Sequence, residues 1–462
     1  MSFLFGYYDL GLRTLNAARI GLQVAGDNIS NASTPGFARR RVDFAPGPPI
    51  KIDGAYLDQG VTIAQVIRVE DRLGQRALER EIGQLGFNRE RLDQLGQIES
   101  MFGDLSSQDI LGAYSDFSQA FNELAGDADS EPLRQGAVQA ATALANRIRG
   151  TYQRIEGQER TINETIGATI GRVNLLADQL GKLNLEIKTQ ESDGSTAAPA
   201  RDARQRIIEE LTELTGGNAV ESDSGQLTYS LPGGPTLVTG NDSLPLVATR
   251  DGSGNYQLSS SANQQALTST FRGGKLGGLL SVRDETIPGL KSSLDTLAQD
   301  LNDRTNALTT SAFDAQGNPG VGLFTIPPGS TSAAQGLTVN PDVLNDLDLL
   351  AVARVAGASD GDIAIEISRL QEQGSAALGN LSAASFITQT QSNLGNEITV
   401  ADVESSVSSD LVQELTARRD AVSGVSLDEE AIELTKHQRA YEAASQFIAI
   451  LNEITEITVN LV

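Results

Sequence analysis

The chain has 462 residues, with 60 Asp plus Glu against 35 Lys plus Arg and a formal charge of -25, which argues against nucleic acid as its main partner. Hydrophobic residues make up 39% and 46 glycines accompany them, a composition able to fold, at a length that suggests roughly three domains and excludes a small stapled scaffold. The absence of cysteine removes disulfides, thiolate nucleophiles and Cys-ligated zinc, and a single histidine, His437, removes any site that needs two imidazoles.

The first segment, Met1 to Arg13, carries Asp9 and no basic region ahead of its short apolar run, so it does not read as a secretory signal, and any export must use another route. No stretch nears the roughly 18 to 20 consecutive apolar residues of a membrane span, so no membrane insertion is expected. Leu4, Tyr8, Gly11, Leu15, Ala18, Leu22, Ala25 and Ile29 recur at alternating steps of four and three, a coiled-coil stripe. That helix should stop between Asn28 and Gly36, where Asn31, Ser33, Thr34, Pro35 and Gly36 supply turn residues and Pro35 disfavours helix at Thr34. The basic run Arg39, Arg40 and Arg41 follows, and two readings stay open for it: docking on acidic surface of a neighbouring subunit, or a solvated loop.

Helices are expected near 70–100 and 110–125. Between Pro132 and Pro199 there is no other proline, and a stripe of period 3/4 runs through Ile155, Glu159, Ile162, Ile166, Thr169, Val173, Leu176, Leu180, Leu183 and Ile187. A helix over even Gln153 to Ile187 would be about 50 Å long, which predicts a rod rather than a ball. After a helix at 201–215 the period changes: Leu227, Tyr229 and Leu231 alternate with Thr228 and Ser230, and turns at Pro232-Gly233-Gly234-Pro235, Gly240-Asn241-Asp242 and Asp251 to Asn255 follow closely. This is a small β insertion over 217–271. Further helices are expected at 284–312, 363–393 and 401–422, while 313–362 reads either as a second small insertion or as an elaborated loop.

The C-terminus mirrors the N-terminus. Ser426 is a plausible N-cap, and Asp428, Glu429 and Glu430 lie in a first turn where the helix dipole favours negative charge, so a helix should start at about Leu427. Leu427, Leu434, Tyr441 and Ile448 fall seven apart, with Ala431, Ala444, Leu451, Ile454, Ile457 and Leu461 on the same broad face. Each well-buried Leu contributes roughly 1.5 to 3 kcal/mol against about 1 to 2 kcal/mol per residue of backbone ordering. Two such helices paired only with each other therefore sit near balance. They are expected to be loosely ordered alone and to become helical when many copies pack side by side.

Little else suggests chemistry. His437 reads as a helix-surface residue. Gly273-Gly274-Lys275-Leu276-Gly277-Gly278 lacks the spacing and the Ser or Thr of a phosphate-cradling loop and reads as a turn before a helix. Asp251 to Asn255 and Asp314 to Asn318 resemble calcium loops, but Tyr256 and Pro319 stand where the glycine is obligatory, so both read as turns. No catalytic, metal-binding or cofactor-binding constellation emerges, and most carboxylates should be solvated helix faces.

Asn28-Ile29-Ser30-Asn31-Ala32-Ser33-Thr34-Pro35-Gly36-Phe37 resembles the N-terminal signature of bacterial flagellar rod, hook and hook-associated proteins, which ends in Asn-Thr-Pro-Gly-Tyr. Gly424-Val425-Ser426-Leu427-Asp428-Glu429-Glu430-Ala431, followed by Gln438, Ala440 and Tyr441, is similar to the C-terminal signature of the first hook-associated protein family; the hook protein's version lacks this Gly and the Asp-Glu-Glu run. Gly60-Val61 with Ile67-Arg68 and Asp71, Pro132 with Arg134, and Asp202-Ala203-Arg204 before Leu211 add agreement, so the likeness spans nearly the whole chain. The sequence departs from the family pattern at Phe37, where Tyr is common, and at His437, where an aromatic is usual.

The resemblance implies a structural subunit of the hook-filament junction, without catalysis or cofactor, secreted through the flagellar type III apparatus to the extracellular flagellum. Its implied partners are further copies of itself in a ring or helical assembly, the hook protein, the second junction protein, and an export chaperone at the C-terminal helix. The expected fold is mainly α with a small β insertion, and elongated. Residues 1–60 with 424–462 form a coiled-coil-like terminal tube domain with a connecting loop; 61–216, 272–312 and 363–423 form a long-helix bundle; 217–271 form a short antiparallel β domain; and 313–362 form an irregular insertion or loop. The expected assembly interface comprises Leu15, Leu22, Ile29, Leu427, Leu434, Tyr441, Ile448 and Leu451, and the turn that leaves the tube domain comprises Asn28, Asn31, Thr34, Pro35, Gly36 and Phe37. Two other readings remain: a hook or distal-rod subunit, and a cell-wall hydrolase carried on axial-type ends. For the second, 217–271 is short and offers only Glu221, Asp223, Asp242 and Asp251.

Overall fold

The computed structural model describes residues 2–34, 36–47, 49–52, 55–57, 60–102, 109–222, 225–261, 264–358 and 360–460. The chain is mainly helical, with strands confined to small antiparallel sheets. Helix α1 (Ser2–Ser30) leads into a two-stranded ribbon of β1 (Arg40–Pro46) and β4 (Val61–Arg68), beyond which the short pair β2 (Ile50–Ile52) and β3 (Ala55–Leu57) forms a second two-stranded sheet. In the ribbon Arg40 lies opposite Arg68 and Pro46 opposite Val61, with a bulge between Asp43 and Phe44. The sequence predicts a connecting loop before residue 60, and the division expected at 60/61 falls inside this ribbon. The β-branched residues Val61, Thr62, Ile63, Val66 and Ile67 favour the pleated backbone, and the bulge hides their alternation.

Next come α2 (Arg72–Phe102), α3 (Ile110–Gly126) and α4 (Glu131–Gln190). At 60 residues α4 is about 90 Å long, so the rod expected from its stripe extends nearly two-fold further, back to Pro132 in its first turn, where proline costs no hydrogen bond. Its apolar stripe is buried from Val138 to Ile187, and it packs against α3 and α5 (Ala198–Thr215). The β insertion follows: a four-stranded sheet β5 (Asn218–Glu221), β6 (Leu227–Ser230), β7 (Thr236–Thr239) and β8 (Asp242–Ser243), then a hairpin β9 (Leu246–Arg250) and β10 (Tyr256–Ser260). Tyr229, fully buried, hydrogen-bonds Thr215 and ties the sheet to the end of α5; burial pushes its hydroxyl up to about 12.

Three asparagines on one line of α4 hold this insertion. Asn163 Nδ2 donates to Gly254 O and its Oδ1 accepts from Tyr256 N. Asn174 does the same for both backbone groups of Leu246, and Asn184 Nδ2 donates to the buried carbonyls of Leu227 at 3.1 Å and Gly240 at 2.6 Å. Steps of ten and eleven residues are three helical turns, so all three side chains meet one face.

Helices α6 (Gly274–Ser281) and α7 (Ile287–Ser311) are joined by one wide turn at Val282–Thr286, where the guanidinium of fully buried Arg283 reaches Asp284, Asn163 Oδ1 and Tyr256 O. Residues 313–362 hold the ribbon β11 (Phe324–Thr325) and β12 (Thr338–Val339) and the short helices α8 (Ala333–Gly336) and α9 (Pro341–Asn345), pinned to α4 by Arg134, which donates to Leu350 O at 2.8 Å. The expected helix 363–393 is instead a short α10 (Asp362–Ser368) and a separate turn region, after which α11 (Ala383–Ser423) is continuous through the expected break at 394–400. Helix α10 ends at Ser368, and Gly379 and Asn380, at φ 69 and φ 67, turn the chain before α11, whereas nothing in 394–400 interrupts the α2-facing line of Leu394, Ala401 and Ser408. Helix α12 (Leu427–Asn460) starts where the sequence predicts and runs beside α1. Asp251 and Asp314 both sit in turns, each carboxylate accepting backbone N–H groups of the residues after it.

Candidate functional site

Helices α1 and α12 meet along a seam of small residues. On α1 the buried positions are Gly11, Ala17, Ala18, Gly21, Ala25 and Asn28; on α12 they are Glu430, Ala444 and Leu451, with His437 between them at 12% side-chain exposure. The repeat Glu430, His437, Ala444, Leu451 is seven apart and lies one helical step from the line Leu427, Leu434, Tyr441, Ile448. Glycine lets the backbones close: a Cβ at Gly21 would stand 2.5 Å from the His437 ring, and one at Gly11 2.8 Å from Ile448 Cγ1. His437 is therefore not a helix-surface residue. Its imidazole fills the aromatic slot over Gly21, 6.0 Å from the Phe44 ring, and burial pulls its pKa below the ordinary 6.5 while Glu433 at 3.5 Å opposes. Near the other end of the seam Tyr8 donates to Asn452 Oδ1 at 2.7 Å.

At the seam's upper end a polar knot joins α1, the ribbon and the first turn of α12. Asn28, fully buried, accepts from Arg40 N at 3.0 Å and donates to Arg40 O at 2.8 Å and to Glu430 Oε2 at 3.0 Å. The buried Glu430 carboxylate also takes Arg39 Nε at 2.7 Å, and Arg39 reaches Glu429 with its other arm. Backbone bonds from Arg39 N to Ser423 O and from Val69 N to Arg39 O lock the same point. Arg40 lies over the Phe37 ring and, with Arg68, pairs with Asp202 of α5, so the ribbon is ion-paired to the helical bundle. Neither open reading of Arg39 and Arg40 holds: both face carboxylates of their own chain, and only Arg41 points to solvent.

In the turn itself Asn31 Nδ2 donates to Asp27 O and Thr34 Oγ1 donates to Asn31 Oδ1. Gly36 sits at φ 75, and a Cβ there would meet Arg206 Cγ at 2.8 Å, so both conformation and space require glycine. Pro35 lies outside the described residues. Of the residues expected at the interface, Leu451 is buried, Leu15, Leu22, Ile29, Leu434 and Ile448 are half-buried, and Leu427 and Tyr441 are exposed. Glu430, His437, Gly21 and Asp202 are the site residues that hydrophobic periodicity passes over; the small residues repeating along α1 were the available signal for a close helix pair.

The pairing leaves α12 with a second apolar line. Ile450, Ile454 and Ile457 are all exposed, share one face at steps of four and three, and point away from the seam, while Phe447 at the edge of that face still packs against Gly11; Ile432 extends the line and Tyr7 and Leu12 are exposed on α1. Among the described residues no helix is long and apolar enough to cross a membrane.

Comparison with known proteins agrees along the chain. A family profile described as the flagellar hook-associated protein FlgK helical domain matches residues 95–324, a flagellar basal body rod FlgEFG protein C-terminal profile matches 420–461, and a flagella basal body rod protein profile matches 9–37. Flagellar hook-associated protein 1 of Salmonella typhimurium is 23% identical over 97% of this chain and 98% of its own length, and that of Bacillus subtilis is 22% identical over 100% and 99%. The structure of the flagellar hook junction protein FlgK from Burkholderia pseudomallei superposes with a TM-score of 0.65 at 15% identity, over 75% of this chain and all of that one, a likeness of fold.

Proposed function

The chain belongs to the flagellar hook-associated protein 1 family and is a structural component of the flagellum, and on that premise we propose how it joins hook to filament. The observation that carries the reading is the division of α12 into two faces: one closes on α1 within the subunit, and the other, Ile432, Ile450, Ile454 and Ile457, is left apolar and exposed. Each such side chain contributes roughly 1.5 to 3 kcal/mol once covered, enough across four residues to drive axial packing of many copies. The paired terminal helices act as the tube-forming part, and Leu427 and Tyr441 on the flank of the seam serve contacts between copies. The long-helix bundle and the β insertion lie outside that tube.

In this reading the subunit stacks between the hook protein and the second junction protein outside the cell, and an export chaperone covers the exposed stripe of α12 beforehand. It performs no catalysis. The knot at Asn28, Arg39 and Glu430 and the Arg40/Arg68 pairing with Asp202 fix how the tube part meets the bundle, the property a junction between two mechanically different polymers requires.

The test is a deletion strain. Hooks without filaments, with filament protein shed into the medium as monomer, support the junction; absent hooks point to a hook or rod subunit, and normal filaments with altered wall turnover to an enzyme. Complementation with Ile450→Asp plus Ile454→Asp should give a folded, exported chain that fails to enter flagella.

A further inference from the structure

The long-helix bundle carries two charged faces that do not satisfy each other within the chain. The first is a groove of about 460 Å³ between α2, the α5–β5 turn and the start of α6, lined by Arg76, Arg80 and Arg272 together with Gly216, Asn218 and Val220. All three arginines are exposed, and none makes an ion pair or hydrogen bond with another described residue. The neighbouring Arg68, Arg72, Arg201 and Arg204 are by contrast each paired to a carboxylate. The groove's own acid, Glu79, is buried and accepts from Gln75 and Gln205 rather than from the arginines. Val220, half exposed, gives the groove an apolar edge, and Leu73, 78% exposed, lies one turn before Arg76 on α2.

The second face is on α11. Val400, Val403, Val407 and Leu411 recur at steps of three, four and four and are all exposed, while the helix's opposite line, Leu394, Ala401 and Ser408, is buried toward α2. Glu404 and Asp410 flank the exposed stripe, and neither has a cationic partner. An aliphatic stripe bordered by free carboxylates is complementary to a groove of free arginines with an aliphatic rim.

We propose that the arginine groove of one subunit receives the acidic, apolar face of α11 from a second copy of this chain. Because the two patches differ, the contact is heterologous: it propagates from copy to copy and closes as a ring or continues as a helix, never as a two-fold dimer. The charges set orientation and register, and the aliphatic contact supplies the burial. This deepens the junction reading and rests on it, since it assigns the lateral contact of the bundle where that reading assigns only the contact of the terminal helices.

The chain has no cysteine, so introduced thiols report cleanly. Arg80→Cys and Asp410→Cys are placed together in the full chain, produced in the deletion strain, and treated in isolated flagella with a short bis-maleimide. A ladder of dimers, trimers and higher multimers is expected from the double variant and monomer from either single variant. Incorporation without a ladder overturns the docking while leaving the junction reading intact; absence of the unmodified chain from flagella overturns the junction reading and the docking with it. Charge exchange gives an independent arm: Arg80→Glu or Asp410→Arg alone should lower the amount retained in flagella several-fold at physiological salt, and the two together should restore it. Single variants retained at the unmodified level overturn the proposal.

Discussion

Replacing Asn28 by Ala tests whether the polar knot, rather than helix propensity, holds the terminal pair together. Asn28 is fully buried and its amide satisfies three groups: Arg40 N, Arg40 O and the Glu430 carboxylate. Alanine suits a helix better than asparagine, so propensity alone predicts slight stabilisation. Against that, each buried polar group left without a partner costs about 1 to 3 kcal/mol. Arg40 is half-buried and recovers part of its loss from water, and Glu430 keeps Arg39, so the net expectation is a loss of about 2 to 4 kcal/mol, confined to α1, the ribbon and the first turns of α12. In a multi-unit chain a single melting temperature does not isolate this loss. Hydrogen exchange does: protection of α1 and α12 should fall by about 30- to 700-fold, at a tenfold change per 1.4 kcal/mol, while α4 is unchanged. Asn28→Asp should be worse at neutral pH, because it sets a carboxylate against Glu430. Unchanged protection in Asn28→Ala would refute the reasoning. The same experiment on the unmodified monomer reads directly how well ordered the terminal helices are before assembly.

Glu79→Gln should stabilise the bundle at pH 7: burial raises this carboxyl above its usual 4.5, so its folded state favours the neutral form, the benefit is present below 4.5 and is lost as pH rises through the raised value. Denaturant midpoints of the two proteins should therefore converge toward pH 4. His437→Phe should keep the pairing of α1 and α12 at pH 7 and remove its acid sensitivity, because a histidine held below 6.5 contributes stability that is lost as pH falls beneath that value; exchange protection of α12 between pH 7 and 5 is the measurement. Gly21→Val should separate α1 from α12, since no Cβ fits 2.5 Å from the imidazole, and cross-linking of the chain into flagella should be lost with it. Asn184→Ala removes the side-chain donor from the buried Gly240 carbonyl, while Leu227 O keeps Gly240 N, and should cost about 1 to 3 kcal/mol, read as lost protection in β6 and β8 with α12 unaffected.

Local chemistry made much of this molecule legible before any coordinates. The start of α12 at Leu427 follows from Ser426 and the acidic first turn, although Ser426 Oγ accepts from Glu429 N only at 3.5 Å; the rod follows from a stripe uninterrupted between Pro132 and Pro199; the insertion follows from the switch to period two after Gly217. The two signatures identified the family, because a turn that needs Gly36 at positive φ and a charged first turn that meets it are written in short stretches of sequence. Tertiary structure alone decided the rest. Which line of α12 is buried depends on what α1 offers it, and small residues there admit Glu430 and His437 ahead of the more apolar Leu427 and Tyr441. The ribbon was hidden because its bulge breaks the alternation that marks a strand, and the partners of Arg39 and Arg40 lie hundreds of residues away or on another element. Hydrophobic periodicity states that a helix has a face to bury; only the shape and charge of the surface it meets determine which residues that face contains.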